Sequence, residues 1–114
     1  MRLPESHSYK TYILKGHRSS AQAFLMDAAQ RQQQYFLDNR TYATSLGALF
    51  GTATEAAAVP SEVSKYYGTP VIATTAGPPP TFLITATPQG SQATNNEQAL
   101  SINQAGLKTP SDYW

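Results

Sequence analysis

The sequence predicts an α+β fold in which one long N-terminal α-helix packs on a small antiparallel β-sheet. Residues 9–37 are rich in strong helix formers and contain no proline. The last third of the chain holds short segments that are β-branched or alternate between apolar and polar residues. With 114 residues, 40% of them apolar, the chain suits one globular domain with a modest core.

The helix is predicted to span residues 9–38. Apolar residues recur in it with the spacing of one buried helix face: Ala21, Leu25, Ala28 and Phe36. Asn39 follows, and we expect it to end the helix because asparagine tolerates the left-handed conformation.

The first part of this helix is predicted to project from the domain. A helix of this length measures roughly 44 Å, which exceeds what a compact domain of this size can cover. The apolar spacing is weakest over residues 9–20, so we expect this part to have no partner within the chain. Aromatic residues exposed there indicate contact with another chain. We therefore predict assembly contacts at Tyr9, Tyr12 and Ile13.

Residues 39–68 are predicted to be a connecting segment that carries short helical turns. Short apolar pieces alternate there with glycine and proline. Pro60 is placed to open one turn and Gly68 to follow its end. So long a connection is unusual in a compact domain and often carries binding residues.

Residues 69–114 are predicted to form an antiparallel sheet and a C-terminal tail. Three strands are expected, at residues 71–75, 82–87 and 100–103. Their short links favour an antiparallel meander, because parallel pairs need a long crossover. The tail is expected to close on Tyr113 and Trp114.

The core is predicted at the helix–sheet interface, where the buried face of the helix meets the inward side chains of the strands. We expect Leu25, Ala28 and Phe36 to face Phe82, Ile84 and Ile102.

Charge is scarce in this sequence. Charged residues make up 13% of the chain, against the usual figure of about 25%, and the formal net charge is +1. This argues against binding to nucleic acid through phosphate neutralisation. Residues 1–40 hold six basic and three acidic groups, whereas residues 41–114 hold two and four. This asymmetry fits ordinary solvation of a helix face, or a subunit whose basic end meets a neighbour's acidic end or an anionic membrane surface.

The sequence offers little for catalysis. It has no cysteine, which excludes disulfides, thiolate metal sites and thiol nucleophiles. His17 has no carboxylate three or four positions away and is expected to face solvent. The seven carboxylates form no close pair or metal-ligand motif. We therefore predict no catalytic residue, no cofactor and no metal, and a protein that is not an enzyme.

Several segments, in order, resemble bacterial type IV pilins, most of all the short minor-pilin-like group. The matching helix positions are Ala21, Leu25, Ala28, Ala29, Tyr35, Phe36 and Asn39, followed by Tyr42 and Ala43. The run from Phe82 to Gly90 is similar to the group's Phe-x-Ile-x-Ala-x-Pro-x-Gly strand and turn. The segment from Leu100 to Gly106 resembles its next strand, and Trp114 its closing tryptophan.

The resemblance implies a structural subunit of a type IV pilus, a minor pilin that takes part in pilus assembly and pilus-dependent motility or adhesion. It implies as partners other pilin subunits in a helical fibre and the inner-membrane assembly machinery, with no nucleic acid expected. It implies a hydrophobic N-terminal helix that anchors the subunit in the inner membrane before it enters the extracellular pilus. Residues 1–8 are then interpreted as a vector-derived leader, and about 20 apolar residues are expected upstream of Tyr9 in the natural protein.

Two alternative functions stay open. A type II secretion pseudopilin of the calcium-binding kind would have clustered acidic ligands near the C-terminus, where this chain has Asp112 alone. A DNA-receptor pilin would have a basic stripe on its globular part, where Lys65 and Lys108 are the cations beyond Arg40. Many pilins also close their C-terminal region with a disulfide. Without cysteine, that region must be held by packing around its last two residues or be mobile.

Overall fold

A computed structural model describes the backbone of residues 3–112 and 114, and the side chains of residues 9–112 and 114. The helices are α1 (Leu3–Asn39), α2 (Leu46–Phe50), α3 (Ser61–Tyr67) and α4 (Ser91–Thr94), with a 3₁₀ turn at Ala56–Ala58. The strands are β1 (Val71–Thr75), β2 (Thr81–Ala86), β3 (Leu100–Asn103) and β4 (Lys108–Thr109). The predicted fold class is confirmed, since a long helix packs on an antiparallel sheet.

Helix α1 determines the elongated shape of the molecule. Its 37 residues run to about 55 Å, and the molecule measures 58 Å along its longest axis and 29 Å along the next. The helix begins at Leu3, six residues before the predicted start, so its backbone includes part of the segment that we interpreted as a leader. That interpretation stays a prediction. Among the described residues, no helix is both long enough and apolar enough to cross a membrane.

The end of α1 differs from the prediction in one respect. Arg40, not Asn39, adopts the left-handed conformation, with φ of 62°. The backbone N–H of Arg40 donates to the carbonyl of Phe36 at 2.8 Å. Asn39 stays within the helix, and its side-chain amide donates to the carbonyl of Tyr35 at 3.1 Å. The Asn39 side chain therefore has a partner within the last helical turn, and the helix ends one residue later than predicted, at Arg40.

The sheet has four strands in the order β1-β2-β3-β4, each antiparallel to its neighbour. Ile84 in β2 lies opposite Ile72 in β1 and Ile102 in β3. The fourth strand was not predicted, because it is two residues long and lies in the expected tail. It pairs with β3 through Ser101–Thr109 and Ile102–Lys108.

The C-terminal residues are held by this pairing and by Trp114. The indole N–H of Trp114 donates to the carbonyl of Thr109 at 3.1 Å. The half-buried ring packs against the core. These contacts order the end of the chain without a disulfide. Tyr113, which we also expected to close the tail, lies outside the described residues.

The core lies between α1 and the central strands β2 and β3. Five of the six predicted core residues are no more than 4% exposed: Leu25, Ala28, Phe82, Ile84 and Ile102. In β2 the buried residues alternate with Leu83 and Thr85, so one face of the strand turns outward. Burying a Leu, Ile or Phe side chain contributes about 1.5–3 kcal/mol to folding.

Phe36 is the exception, because it is half-buried at the margin of the core. Tyr42 separates it from the sheet. The Phe36 and Tyr42 rings lie 4.7 Å apart, and Tyr42 meets Phe82 edge-on at 4.8 Å. Phe36 therefore packs on Tyr42, which itself packs against the core.

The connecting segment contains the predicted helical turns. Pro60 precedes α3, and Gly68 follows it with φ of 63°. This positive φ favours glycine, because residues with a Cβ rarely adopt it. The segment is fixed to α1 by Gln32, which is fully buried. Its amide donates to the carbonyl of Ala43 and accepts from the N–H of Ala43, each at 2.8 Å.

Candidate assembly surface and the polar junction behind it

The projecting end of α1, which we define as Tyr9, Tyr12 and Ile13, is exposed on a helix longer than the domain. The side chains of Tyr9 and Tyr12 are 67% and 77% exposed, and that of Ile13 is 36% exposed. Large apolar side chains are usually covered in a soluble domain, and exposed clusters of them mark contact surfaces. The structure thus places the three predicted assembly residues together on the surface, and their contact with another chain stays a prediction.

The remainder of residues 9–20 does have partners in the chain, which corrects the prediction. His17 and Arg18 contact α3, α4 and the loop that follows α4 through a cluster of polar side chains. We call this cluster the polar junction, and it comprises His17, Arg18, Tyr66, Gln92 and Glu97. The projection therefore begins several residues closer to the N-terminus than expected.

His17 is half-buried and does not face solvent as predicted. Its ring stacks on Tyr66 with centroids 3.4 Å apart and planes 12° apart. Its Nδ1 lies 2.8 Å from Oε1 of Gln92. The spacing of carboxylates along the helix could not reveal partners of His17 that lie about 50 and 75 residues away in the sequence.

Gln92 is the centre of the polar junction and is fully buried. Its Nε2 lies 3.1 Å from the Tyr67 hydroxyl and 3.4 Å from both the carbonyl of Leu14 and Oε1 of Glu97. Because a carbonyl and a carboxylate only accept, the amide nitrogen must face them and Oε1 must face His17. Nδ1 of His17 therefore donates the hydrogen bond to Oε1 of Gln92.

Arg18 and Glu97 form a two-pronged ion pair beside Gln92. Nε of Arg18 donates to Oε1 of Glu97 at 3.0 Å, and Nη2 donates to Oε2 at 3.1 Å. The side chains are only 17% and 9% exposed. Parallel hydrogen bonds between guanidinium and carboxylate are directional as well as strong. The pair therefore fixes the rotation of α1 relative to the α4 segment.

The sequence did not predict a role for Gln92 or Glu97, which lie in the link between the second and third predicted strands. No local signal distinguishes a glutamine that will be buried from one that will be solvated. The earlier residues of the junction, His17 and Arg18, also lie where the apolar spacing is weak. The junction replaces apolar packing with hydrogen bonds in that part of the helix, so hydrophobic periodicity could not predict it.

The described part of the chain offers no evident site for a metal. Within residues 9–112 and 114, no three His, Asp or Glu side chains lie close enough to hold an ion. Two open grooves of about 370 Å³ flank α1. One lies between the middle of α1 and the β3–β4 turn, near Met26, Gln33 and Lys108. The other lies between the projecting end and α4.

The fold defines a class of protein. It resembles a solved type IV pilin from Shewanella oneidensis with a TM-score of 0.60 and 23% sequence identity, over 86% of this chain and 92% of that one. At this identity the likeness shows the fold alone, which is that of a type IV pilin. None of the curated protein sequences compared with the chain matches it.

The family follows from the sequence. Residues 7–99 match the family described as "Type IV minor pilin ComP, DNA uptake sequence receptor". The match spans most of the chain, including the projecting end, the polar junction and the first two strands. The chain belongs to this family of type IV minor pilins and is a subunit of the type IV pilus.

Proposed function

We propose that this minor pilin works by assembling with other pilin subunits through the projecting end of α1, and that it has no catalytic role. The observation that carries the proposal is the exposure of the Tyr9 and Tyr12 side chains, 67% and 77%, at the end of a helix that extends beyond the globular domain. Covering apolar surface yields about 25 cal/mol per Å², so a neighbouring subunit that packs there is stabilised. His17 is hydrogen-bonded to an amide and not to a nucleophile, which supports a structural role.

The proposal also describes how the subunit passes from the inner membrane into the pilus fibre. The precursor is anchored in the inner membrane by a hydrophobic helix continuous with α1, the assembly machinery engages it there, and the subunit then joins the extracellular fibre. The polar junction, through its hydrogen bonds and ion pair, would hold the globular domain at a fixed angle to that helix. Subunits in a helical fibre need such a fixed angle, because each one repeats the same contacts.

The test is a gene deletion scored for surface pili and twitching motility. The deletion strain is complemented with the natural gene, with a Tyr9→Ser/Tyr12→Ser copy, and with a Leu37→Ser/Leu107→Ser copy as control. Leu37 and Leu107 are 71% and 57% exposed, so the control removes similar exposed apolar groups elsewhere. We expect the natural gene and the control to restore piliation and the tyrosine variant to fail.

A further complementing copy lacks the apolar segment upstream of residue 9. If it restored piliation fully, the protein would act as a soluble periplasmic factor, and the assembly mechanism would be wrong. Equal rescue by the tyrosine variant and its control would likewise exclude the projecting end as the contact.

The second candidate function is DNA reception during DNA uptake. It is favoured by the description of the matched family, which names a DNA uptake sequence receptor. Two lysines on the globular part lie beside aromatic rings: Lys65 Nζ is 5.7 Å from the Tyr66 ring, and Lys108 Nζ is 5.9 Å from the Trp114 ring. Such pairs could present a cation to phosphate and a ring to a base. The low net charge argues against a strong phosphate contact, so this function stays second.

DNA binding by the isolated chain separates the two candidates. DNA reception predicts retention of duplex DNA, with affinity falling at a log–log salt slope of about −1.8 if two lysines contact phosphates. It also predicts that Lys65→Gln/Lys108→Gln weakens binding and Lys10→Gln/Lys15→Gln does not. The assembly function predicts no retention at physiological salt and no difference between the variants.

A further inference from the structure

Strand β1 forms an open edge of the sheet. The strand order gives β1 a single neighbour, β2. Successive residues of a strand direct their backbone N–H and C=O groups to opposite sides, so about half of these groups in β1 point away from β2. Within the described part of the chain, the backbone of residues 71–75 has no hydrogen-bond partner outside the sheet. β1 can therefore pair with one further strand.

No charged side chain protects this edge. Residues 66–96, which include β1 and β2, contain no Asp, Glu, Lys or Arg. Soluble proteins usually place lysine or another charge on an exposed edge strand, because the charge opposes pairing with another chain. Val71, Ala73 and Thr75 are exposed along β1, and the side chain of Val71 is 64% exposed. The edge is uncharged and rich in β-branched residues, which favours strand pairing.

The opposite edge of the sheet is much shorter. β4 has two residues, Lys108 and Thr109, and Pro110 follows directly. Proline has no N–H to donate to a ladder, so pairing along β4 must end there. A strand of a second copy would find two residues to pair with at β4 and five at β1. The match for the open edge of one copy is therefore β1 of the other.

We propose that two copies of the chain pair through their β1 strands, antiparallel and around a two-fold axis at Ala73. In this register Val71 lies opposite Thr75 of the second copy, and Ile72 lies opposite Thr74 of the second copy. Cross-strand pairs of β-branched side chains stabilise a sheet. At the axis two small alanines meet, and no like charges are brought together anywhere along the strand.

The exposed face of the sheet supports this pairing. Leu83 in β2 lies directly beside Ala73, and its side chain is 42% exposed. Because paired residues share a face of the sheet, Leu83 and Ala73 of both copies would form one apolar row across the two-fold axis. Val71 lies on the same face, two residues from Ala73. The pairing therefore adds apolar contacts to the backbone hydrogen bonds.

The inference goes beyond the proposed function, because it concerns a different surface and a different symmetry. A two-fold contact uses the same patch on both copies and closes after two, whereas a fibre repeats one head-to-tail contact. The β1 contact therefore joins subunits that are not neighbours within one fibre. Its test needs only the 114-residue chain and does not depend on pilus assembly.

The first test is the oligomeric state of the chain, measured by sedimentation equilibrium. A contact of five residues is small, so we expect a weak, reversible dimer with a dissociation constant of about 0.1 mM. Salt is expected to leave this constant unchanged, since the contact is uncharged.

Matched variants locate the contact. Ala73→Lys places two ammonium groups at the two-fold axis and is expected to weaken dimerisation by about tenfold or more. Ala57→Lys is the control, since Ala57 is exposed and lies outside the sheet. An equimolar mixture of Ala73→Lys and Ala73→Glu is expected to dimerise again, because opposite charges then meet. All three variants are expected to keep the thermal midpoint of the monomer, because their side chains replace exposed alanines.

A cross-linking test uses the absence of cysteine from the chain. With Ala73→Cys, the two thiols meet at the two-fold axis. The Cα atoms of directly paired residues in an antiparallel ladder lie about 4.5–5.5 Å apart, which is within the range of a disulfide. Oxidation is expected to cross-link this variant several-fold faster than Ala57→Cys.

Four results would overturn the proposal. A chain that stays monomeric at about 1 mM would leave an extended segment of another protein as the candidate partner of β1. Equal dimerisation of the two lysine variants, or equal cross-linking of the two cysteine variants, would place the contact elsewhere. A dimer that Tyr12→Ser dissociates and Ala73→Lys does not would place it at the projecting end. Failure of the pilus rescue experiment would leave all these measurements unaffected, so the two proposals can fail separately.

Discussion

Nδ1 of His17 lies 2.8 Å from Oε1 of Gln92, and this contact joins the long helix to a segment 75 residues further along the chain. The imidazole also stacks on Tyr66, so α3, α4 and α1 meet around one side chain. On the C-terminal side of His17, α1 is held by apolar packing on the sheet, and on the N-terminal side the helix projects. The hydrogen bond therefore marks the boundary between the buried and the exposed parts of α1.

We predict that His17 and Gln92 are energetically coupled. Gln92→Ala would remove the hydrogen-bond partner of Nδ1 of His17 and one contact of the Tyr67 hydroxyl, at a cost of roughly 1–3 kcal/mol in unfolding free energy. A double-mutant cycle with His17→Ala, followed by urea denaturation, should give a coupling energy of about 0.5–1.5 kcal/mol. Gln30→Ala is the control, because Gln30 is an exposed glutamine of α1. Additive single effects would show that the two side chains act independently.

We predict that Phe82 stabilises the core far more than its neighbour in the same strand. Phe82 is 1% exposed, whereas Leu83 points outward and is 42% exposed. Phe82→Ala should lower the unfolding free energy by about 3–5 kcal/mol, because it removes buried apolar contacts and leaves a cavity. Leu83→Ala should cost less than about 1 kcal/mol. Similar thermal midpoints for the two variants would place Phe82 outside the core.

These residues also indicate which parts of the fold the sequence can predict. The alternation through Phe82 and Ile84, and the spacing of Leu25 and Ala28, are local patterns of apolar residues, and both give the correct buried face. Local patterns cannot predict contacts between distant polar residues. Gln92 shows this limit, because its burial depends on His17 and Tyr67, which lie in other helices.

Strand β4 and the position of Phe36 were also not predicted correctly from the sequence, for similar reasons. Strand β4 is too short to have a periodicity of its own, and it exists because β3 offers an edge for Lys108 and Thr109. Phe36 has the helical spacing of a core residue, but Tyr42 occupies the place between it and Phe82. The exposed residues Tyr9, Tyr12 and Ile13 were placed correctly on the surface because apolar spacing fails there.

We predict that Gln32 is required to hold the connecting segment against α1. Its amide makes two hydrogen bonds of 2.8 Å with the backbone of Ala43, and both residues are buried. Gln32→Ala would leave the N–H and the carbonyl of Ala43 buried without partners, at a cost of roughly 2–5 kcal/mol. Gln33→Ala, one position along and exposed, should change stability by less than about 0.5 kcal/mol. Chemical denaturation of both variants measures the difference, and equal values would contradict the prediction.

We predict that the ion pair between Arg18 and Glu97 suppresses local unfolding of α1. Glu97→Gln keeps the shape of the side chain but removes its charge. It also replaces one of the two accepting oxygens with an NH2 group, which cannot accept a hydrogen bond from Arg18. Since hydrogen bonds to charged groups are worth about 1.5–3 kcal/mol, amide protection over residues 14–20 should fall about tenfold or more. Native-state hydrogen exchange measures this. Amides of residues 21–32 should keep their protection, because apolar packing holds that part of the helix.

Asp27→Asn is the matched control for that exchange experiment. Asp27 pairs with Arg31 on the same helix at 3.2 Å, but their side chains are 48% and 46% exposed. Solvent screens such a pair, so its loss should change protection near residue 27 by less than about threefold. If Glu97→Gln loosened residues 14–20 no more than Asp27→Asn loosens its own turn, the junction would not restrain the helix. If it lowered protection equally along all of α1, the ion pair would contribute to global stability and not to the local boundary.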